Sequence, residues 1–422
     1  MNVWRADVGE LQLKPTIDPN EVFTPRSHDI NQRTYVERPI LESRLKDALG
    51  GRKYVIVHGE SGNGKTWLYK KVLNQSGVVF HTINLANANT TGSLEGAFEQ
   101  KLGEIGHQNV LSKKTEIEGG ARPFGVGMAL KETTEYKNWS PSAFARLLHE
   151  ISINASSKKG VLVLDNFEQI VDNDKLVKEI ANLIISADEE AIASFGVKVL
   201  IVGTPNNIRH MISKVSNAYT ISNRLVEVPE VARLEVTEAF LIMSQGFEKH
   251  LRYTFTANKN DIYKDICWKT DRIAQEVQEL CLKIALEARR NGNVINKEVV
   301  AKAEEAWAHE SLSADLGTIE LLMNSRDTKV GRKNQVLFCL GLHPKEDFKY
   351  MDIEKSVRDR FKVEEGINLN IPQILASFTK AENPLLRRHP SGEGYRFVSP
   401  KLKMIIRARF KLDDENKVVK MF

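Results

Sequence analysis

The chain has 422 residues and a formal charge of +5, from 60 Lys and Arg against 55 Asp and Glu. With 41% hydrophobic and 27% charged residues its composition is that of an ordinary globular protein, which excludes a fibrous or disordered chain, and its length predicts about three domains. The three cysteines form no CxxC pair, which argues against a zinc finger. The chain has no apolar stretch of the ~20 residues that span a membrane and no apolar leader, which argues against a membrane protein and a secreted protein. The few cysteines favour the cytoplasm.

The first half of the chain has the pattern of an α/β domain. Residues 1–33 contain three prolines and no persistent period, which predicts an extended amino-terminal arm. A helix is expected to begin near Pro39. Short apolar runs then alternate with helical patterns, at residues 54–57, 78–85, 161–164 and 198–202. This alternation predicts, over residues 34–235, a parallel sheet with helices on both faces.

The second half is predominantly helical. Helical patterns at 236–251, 260–269, 271–290 and 296–309 predict a small helical domain over residues 236–315. From residue 330 the pattern changes to three short helices, a strand-turn-strand segment and a basic helix that begins at Pro400. This order of elements predicts a winged-helix domain over residues 330–422.

A phosphate-binding loop follows the first apolar run. Its residues Gly59-Glu60-Ser61-Gly62-Asn63-Gly64-Lys65-Thr66 fit G-x-x-x-x-G-K-[ST] without a mismatch, and Trp67 continues into the helix that leads out. Gly62 and Gly64 allow backbone N–H groups to approach phosphate oxygens, and the helix N-terminus adds its positive dipole end. Lys65 is expected to contact the β- and γ-phosphates and Thr66 to ligate Mg²⁺. The loop predicts that the chain binds ATP and ADP.

An acidic residue closes a buried strand about 100 residues downstream, as a P-loop site needs. Asp165 ends the run G-V-L-V-L-D and is expected to hold Mg²⁺ beside Thr66. Asn166 stands where many hydrolytic relatives carry a glutamate, and its amide can position water but cannot accept a proton. Glu168 is the candidate substitute. Slow or partner-dependent hydrolysis is therefore expected.

Polar residues at two further positions are candidates for sensing the nucleotide. The strand 198–202 runs into Thr204 and Asn206, which either sense the γ-phosphate or form an ordinary turn. Arg224 either acts in trans on the nucleotide of a neighbouring subunit or pairs on its own surface.

Together these residues resemble the AAA+ and STAND class of P-loop ATPases, in particular the branch of origin-recognition initiators and transposition-helper ATPases. The resemblance covers roughly residues 22–310. Besides the loop it rests on F-T-P-R, Y-V-E-R-P-I-L-E-S-R-L-K-D-A-L, V-L-V-L-D-N-F-E-Q-I, I-V-G-T-P-N-N-I-R, S-N-R and T-D-R-I-A-Q-E-V-Q-E-L-C. It implies the P-loop NTPase fold, a lid formed by residues 236–315, ATP or ADP with Mg²⁺, and a homo-oligomer.

The resemblance also implies roles for single positions. Val36 and Arg38 fall where the family lines the adenine pocket, although Glu37 replaces the usual Gly. The implied sensor and finger positions are Asn206 or Thr204 (first sensor), Arg272 (near the second sensor) and Arg224 (arginine finger). Residues 115–131, whose glycine-broken alternation predicts a β-hairpin, fall where initiator-like relatives carry elements that contact DNA; a surface hairpin without a task is the alternative.

Positive charge is concentrated near the carboxyl terminus. Residues 332–422 hold 19 Lys and Arg and 12 Asp and Glu, a net of +7, which leaves −2 for the rest of the chain. The residues of interest are Arg387, Arg388, Arg396, Lys401, Lys403 and Arg407. They predict either a face that contacts DNA phosphates or a domain that packs on the ATPase core or a protein partner.

These observations predict an ATP-dependent molecular switch that hydrolyses slowly, oligomerises with nucleotide and engages DNA. Two alternatives stay open. One is a signalling or anti-phage defence ATPase whose carboxyl-terminal domain binds a protein partner or effector. The other, which follows from Asn166, is a nucleotide-binding scaffold without hydrolysis.

Overall fold

The structure is a computed structural model that describes residues 17–106, 142–156, 159–204, 218–311, 313–324, 331–388 and 394–421. The predicted hairpin at 115–131 and the candidate sensor Asn206 lie outside the described residues. The contacts divide the chain into two units. We call residues 38–61 and 65–231 the sheet unit, and residues 17–37, 62–64 and 232–421 the helical unit.

Five parallel strands form the centre of the sheet unit. They are β1 (Tyr54–His58), β2 (Val79–Asn84), β3 (Gly160–Asp165), β4 (Val197–Gly203) and β5 (Leu225–Glu227), in the spatial order β2-β3-β4-β1-β5. Because all pairs are parallel, the carboxyl ends lie at one edge, with His58 opposite Gly203 and Asn84 opposite Asp165. The predicted parallel sheet is confirmed.

Alternate strand residues pack against helices on the two faces of the sheet. In β1, Val55 and Val57 join a core with the helices Pro39–Gly50 and Lys65–Gln75, while Ile56 joins a second core on the opposite face. The other helices of the sheet unit are Ala86–Thr91, Leu94–Glu104, Ala143–Ala155, Asp174–Ser186, Glu190–Ala193 and Ala218–Arg224. Burial on both faces explains why these strands are continuous apolar runs in the sequence.

The described part of the amino-terminal segment is packed and not simply extended. Asp18 caps a short helix, Pro19–Val22, and the next residue, Phe23, is fully buried. The Phe23 ring fills the space beside Gly246, where an added Cβ would lie 2.1 Å from the ring. The expectation of an extended arm rested on its prolines, and it overlooked the adjacent apolar pair Val22 and Phe23, whose burial fixes residues 17–37 in the helical unit.

The rest of the helical unit, where the structure describes it, consists of helices and three two-stranded sheets that pack around one core. Its helices are Val236–Met243, continued by the π-helical Ser244–His250, then Lys259–Lys269, Ala274–Arg290, Lys297–Ser311, Ser313–Leu322, Arg332–Leu342, Tyr350–Phe361, Ile371–Lys380 and Pro400–Arg409. Its strands are the parallel pair β6 (Thr254–Phe255) and β7 (Val294–Ile295), and the antiparallel pairs β8 (Leu386–Arg388) with β9 (Tyr395–Phe397) and β10 (Phe410–Leu412) with β11 (Val418–Lys420). A single apolar cluster spans the predicted lid and the predicted winged-helix region, and the winged-helix assignment stays a prediction.

The helix Pro400–Arg409 uses its basic residues inside the helical unit. Lys403 and Arg407 are only 2% and 7% exposed. Arg407 donates to Asp271 Oδ1 at 2.9 Å, and its guanidinium lies 3.7 Å from the centre of the Trp268 ring. Lys403 Nζ lies 3.7 Å from the other oxygen of Asp271. The prediction that Lys403 and Arg407 belong to a face that contacts DNA phosphates is therefore wrong, because burial withdraws both from an incoming ligand.

The other basic residues of that prediction are less enclosed. Lys401 lies 3.4 Å from Glu276 Oε1, and Arg396 forms a two-point ion pair with Asp347 at 2.7 Å. Arg387 is partly buried, and Arg388 is exposed with its guanidinium 5.2 Å from the Tyr395 ring centre. Within the described ranges, no helix has the length and apolar character needed to cross a membrane.

Candidate nucleotide site

Glycine gives the loop after β1 its shape. Gly62 and Gly64 have φ of +82° and +92°, a conformation that side chains with a Cβ rarely adopt. At Gly59 an added Cβ would lie 2.3 Å from Val231 O, whereas at Gly64 it would meet no atom within 4 Å. The loop therefore needs glycine for two reasons, backbone conformation and close packing. The open space at Gly64 leaves the backbone of the loop accessible to a ligand at this position.

Lys65 is the first residue of the helix that follows the loop. Its Nζ donates to Gly59 O at 2.9 Å and to Glu60 O at 3.2 Å, so the side chain folds back along the loop. Burial lowers the pKa of Lys65, and the nearby carboxylates of Glu168 and Asp165 oppose that shift. The Lys65 ammonium group is thus bound to two loop carbonyl oxygens, and phosphate oxygens can take their place as its hydrogen-bond acceptors.

Of the remaining loop residues, Ser61 is exposed, Glu60 and Asn63 are buried, and Trp67 is half-buried on the exit helix.

Asp165 lies at the carboxyl end of β3, beside the start of the same helix. The Thr66 hydroxyl is 3.5 Å from Asp165 Oδ2. The Tyr69 hydroxyl donates to that same oxygen at 2.9 Å, and the backbone N–H of Asn166 donates to Oδ1 at 2.8 Å. A hydroxyl next to a carboxylate is a donor set that suits Mg²⁺, which prefers oxygen ligands and keeps several waters. The predicted pair of Thr66 and Asp165 is brought together and fits this ion.

Asn166 and Glu168 differ in where their side chains lie. Asn166 has the left-handed conformation, with φ 62° and ψ 46°, and its Nδ2 donates to Asn84 Oδ1 at 3.0 Å at the end of β2. Glu168 belongs to the 3₁₀ turn Phe167–Gln169 and is the largest of the acidic influences on Lys65. Its buried Oε2 has no hydrogen-bond partner among the described residues. Glu168 thus joins Asp165 and Glu60 as a third carboxylate near Lys65.

Thr204 follows β4 directly. The preceding residue, Gly203, pairs with His58, and its carbonyl accepts the Gly59 N–H at 3.2 Å. Thr204 is therefore next in the chain to a residue that touches the loop. Its role as first sensor stays a prediction, and the other candidate, Asn206, lies outside the described residues.

Arg224 lies far from the loop of its own chain. It is paired with Asp188, and its Nη1 donates to Thr220 O at 2.9 Å. The next residue, Leu225, pairs with Tyr54 at the start of β1, whereas Gly59 follows the end of β1. Five residues of strand separate Tyr54 from Gly59, a distance of about 16 Å. In a single chain Arg224 is a surface ion-pair residue and cannot reach its own nucleotide.

The remaining predicted residues are spread over both units. In the helical unit, Val36 packs on the edge of the apolar cluster, and Arg272 has φ +58° with Nη1 3.9 Å from Glu235 Oε2. In the sheet unit, the backbone N–H of Arg38 donates to Glu42 Oε1 at 2.9 Å and begins the helix Pro39–Gly50. None of these contacts by itself assigns a nucleotide role.

Sequence reasoning missed three residues around the loop. Gln275 donates its backbone N–H to Gly62 O at 3.0 Å, and Ile273 Cγ2 would be 2.9 Å from a Cβ at Gly62. No sequence pattern predicts these contacts, because they depend on where the start of the helix Ala274–Arg290 lies in the folded unit. Tyr69 could have been found, since it is three residues after Thr66 and hence on the same face of the helix.

Comparison with known proteins agrees with this geometry. Residues 48–212 match the family described as AAA domain. The Walker-type ATPase PABY2304 of Pyrococcus abyssi is similar in structure, with 14% identity, a TM-score of 0.50 and coverage of 90% of this chain and 99% of that chain. No curated protein matches in sequence.

Two further structures are similar to this chain. Cdc6p from Pyrobaculum aerophilum has 14% identity and a TM-score of 0.45, covering 93% of this chain and 98% of that chain. The Aeropyrum pernix ORC1 protein in complex with DNA has 12% identity and a TM-score of 0.46, covering 92% and 96%. Residues 48–212 thus match an AAA domain, and the chain has the fold of a P-loop ATPase.

Proposed function

We propose that the chain is an ATP-dependent molecular switch, which binds ATP with Mg²⁺, hydrolyses it slowly and changes its assembly with the nucleotide state. The observation that carries the proposal is the joint placement of Lys65, Thr66 and Asp165 around a glycine loop with open space at Gly64. An AAA domain over residues 48–212 supports it.

The loop residues bind the phosphates. Backbone N–H groups of Gly62 and Gly64 and the start of the helix Lys65–Gln75 offer positive ends to anionic oxygens. Lys65 exchanges the carbonyls of Gly59 and Glu60 for phosphate oxygens. Thr66 and Asp165 are the residues that would hold Mg²⁺, and the ion would supply positive charge beside the phosphates.

Glu168 is the residue that accepts the proton of the attacking water. Its buried oxygen lacks a partner among the described residues and lies near the Lys65 cation. Asn166 orients water or senses its position but cannot take a proton. We therefore expect the rate of ATP hydrolysis to be well below that of an enzyme with a glutamate directly after the metal-binding aspartate.

The decisive experiment is single-turnover hydrolysis of radiolabelled ATP with excess protein, with and without Mg²⁺. Phosphate release that requires Mg²⁺ and is lost in Asp165→Asn supports the switch. Tight ATP binding without any release would favour a nucleotide-binding scaffold.

The partner of the switch is either DNA or protein. Among the basic residues first considered, Arg388 is exposed and Arg387 partly so, and these two with Arg396 and Lys401 are the proposed contacts to DNA phosphates. One observation favours a protein partner instead: Lys403 and Arg407 of the last helix form ion pairs with Asp271 inside the helical unit, so they leave less positive charge for DNA phosphates.

The two possibilities differ in salt dependence. Fluorescence anisotropy with a labelled 30-base-pair duplex at two salt concentrations measures DNA binding directly, since phosphate contacts release counterions. Salt-sensitive binding that Arg387→Ala with Arg388→Ala weakens would support DNA. ATP hydrolysis that no DNA stimulates would favour the protein partner.

A further inference from the structure

We propose that Tyr69 is a positioning residue for the divalent cation, because its hydroxyl fixes the carboxylate of Asp165 in the orientation that meets Thr66. The inference deepens the proposed ATP site and rests on it. It concerns a side chain outside the phosphate-binding motif, three residues further along the exit helix.

Both oxygens of the Asp165 carboxylate are held. Tyr69 donates to Oδ2 at 2.9 Å, and the backbone N–H of Asn166 donates to Oδ1 at 2.8 Å. An ionised carboxylate has no proton to give, so the phenol must be the donor. Two donors on two different oxygens fix the rotation of the carboxylate plane, which one donor alone would leave free.

The position of Tyr69 explains why it can do this. Its ring is 1% exposed and packs with Leu68, Val72 and the strand residues on one face of the sheet. A buried tyrosine needs a partner for its hydroxyl, and Asp165 is that partner.

The same oxygen, Oδ2, is the one that lies 3.5 Å from the Thr66 hydroxyl. The Tyr69 hydroxyl therefore fixes the position of the Asp165 oxygen that faces Thr66, and these are the two groups expected to bind the cation. Partners in the outer shell of a metal site commonly affect metal affinity by about 10- to 100-fold when removed. The proposed phosphate contacts come from the loop and the Lys65 amine, and the hydrogen bond of the Tyr69 hydroxyl goes to Asp165.

This separation defines the test. Tyr69→Phe removes the hydroxyl and retains the buried ring, so the fold is expected to persist. We expect ATP affinity in EDTA, measured by calorimetry, to stay within about twofold of wild type. Mn²⁺ affinity of the ATP complex, measured by electron paramagnetic resonance, should fall at least about tenfold.

The sheet unit supplies a matched control. Tyr54 donates its hydroxyl to Asp188 Oδ1 at 3.1 Å, at the far end of β1 from the loop. Tyr54→Phe removes the same type of hydrogen bond and should leave Mn²⁺ affinity at the wild-type value. A thermal melt compares the structural cost of the two changes.

The outcomes are distinct. Unchanged Mn²⁺ affinity in Tyr69→Phe would overturn the positioning role, and so would equal losses of Mn²⁺ affinity and metal-free ATP affinity, which indicate a structural role only. If Tyr69→Phe does not fold, Tyr69→Met, which fills the buried space without a hydroxyl donor, is tested in its place, with the same expected loss and the same contrary result. A wild-type protein that binds no ATP at all would instead refute the proposed function.

Discussion

At the scale of single residues, we propose that Asn166 positions the attacking water and that Glu168 accepts its proton. Asn166 sits in the left-handed conformation, which asparagine adopts at a lower cost than most residues, and its amide joins the ends of β2 and β3. This backbone demand gives a structural reason for asparagine directly after Asp165. The base of the proposed reaction must then come from elsewhere, and our candidate is Glu168, whose carboxylate has the largest of the three acidic influences on Lys65.

Glu168→Gln tests this division. The amide keeps the size of the side chain but cannot accept a proton, so single-turnover hydrolysis should fall by about 10²- to 10⁴-fold. ATP affinity should change little, because the loop is untouched. Glu190→Gln, an exposed carboxylate in the same unit, is the control. Equal rates in wild type and Glu168→Gln would remove Glu168 from the mechanism.

At the scale of elements, the strands, the loop and the start of the last helix could be predicted, whereas the burial of that helix could not. Buried parallel strands are short apolar runs, and the runs near residues 54–57 and 161–164 match β1 and β3 closely. The phosphate-binding motif is local in sequence and needs no tertiary information. The helix Pro400–Arg409 has a basic sequence typical of a surface, and its burial depends on Asp271 and Trp268, more than a hundred residues earlier.

The cost of burying Lys403 should be visible as a pH dependence. Burial lowers the pKa of Lys403 to about 8, and the ordinary value is 10.5. Between these values the unfolded chain binds more protons than the folded chain, so stability rises with pH through this window. Below pH 8 the penalty is fully present.

Lys403→Met removes this group. The free energy of unfolding of wild type, relative to Lys403→Met, should increase from pH 8 to pH 10.5 by up to about 3 kcal/mol. Urea unfolding followed by circular dichroism at several pH values measures the difference. A difference between the two proteins that stays constant over this range would show that Lys403 is not held at a lowered pKa.

At the scale of the whole molecule, the arrangement of Arg224 makes assembly part of the proposed switch. Within one chain this arginine is paired with Asp188 at the opposite end of β1 from the loop. An arginine at that place can complete a nucleotide site only for a neighbouring chain. The sequence raised both an ion pair and a role in trans; the ion pair is present, and the role in trans is our proposal.

Arg224→Ala should bind ATP almost as well as wild type but hydrolyse it at least about tenfold more slowly, since an arginine finger acts on the transition state. Mixing it with Lys65→Ala protein should restore some activity, because each variant supplies the half that the other lacks. Asp188→Asn is the control: it breaks the ion pair while keeping Arg224, and it should retain hydrolysis. If Asp188→Asn loses as much activity as Arg224→Ala, and mixing restores nothing, the arginine has only a structural role.

The central claim is that the glycine loop with Lys65 binds ATP, and a calorimetric titration of Mg²⁺–ATP into wild type, Lys65→Ala and Lys71→Ala tests it most directly. Lys71 lies on the same helix outside the loop and serves as the matched control. Hydrogen bonds to charged groups contribute about 1.5–3 kcal/mol, so Lys65→Ala should weaken ATP binding by about 10- to 100-fold, with wild-type affinity in Lys71→Ala. Equal affinity in wild type and Lys65→Ala would contradict the assignment of the site.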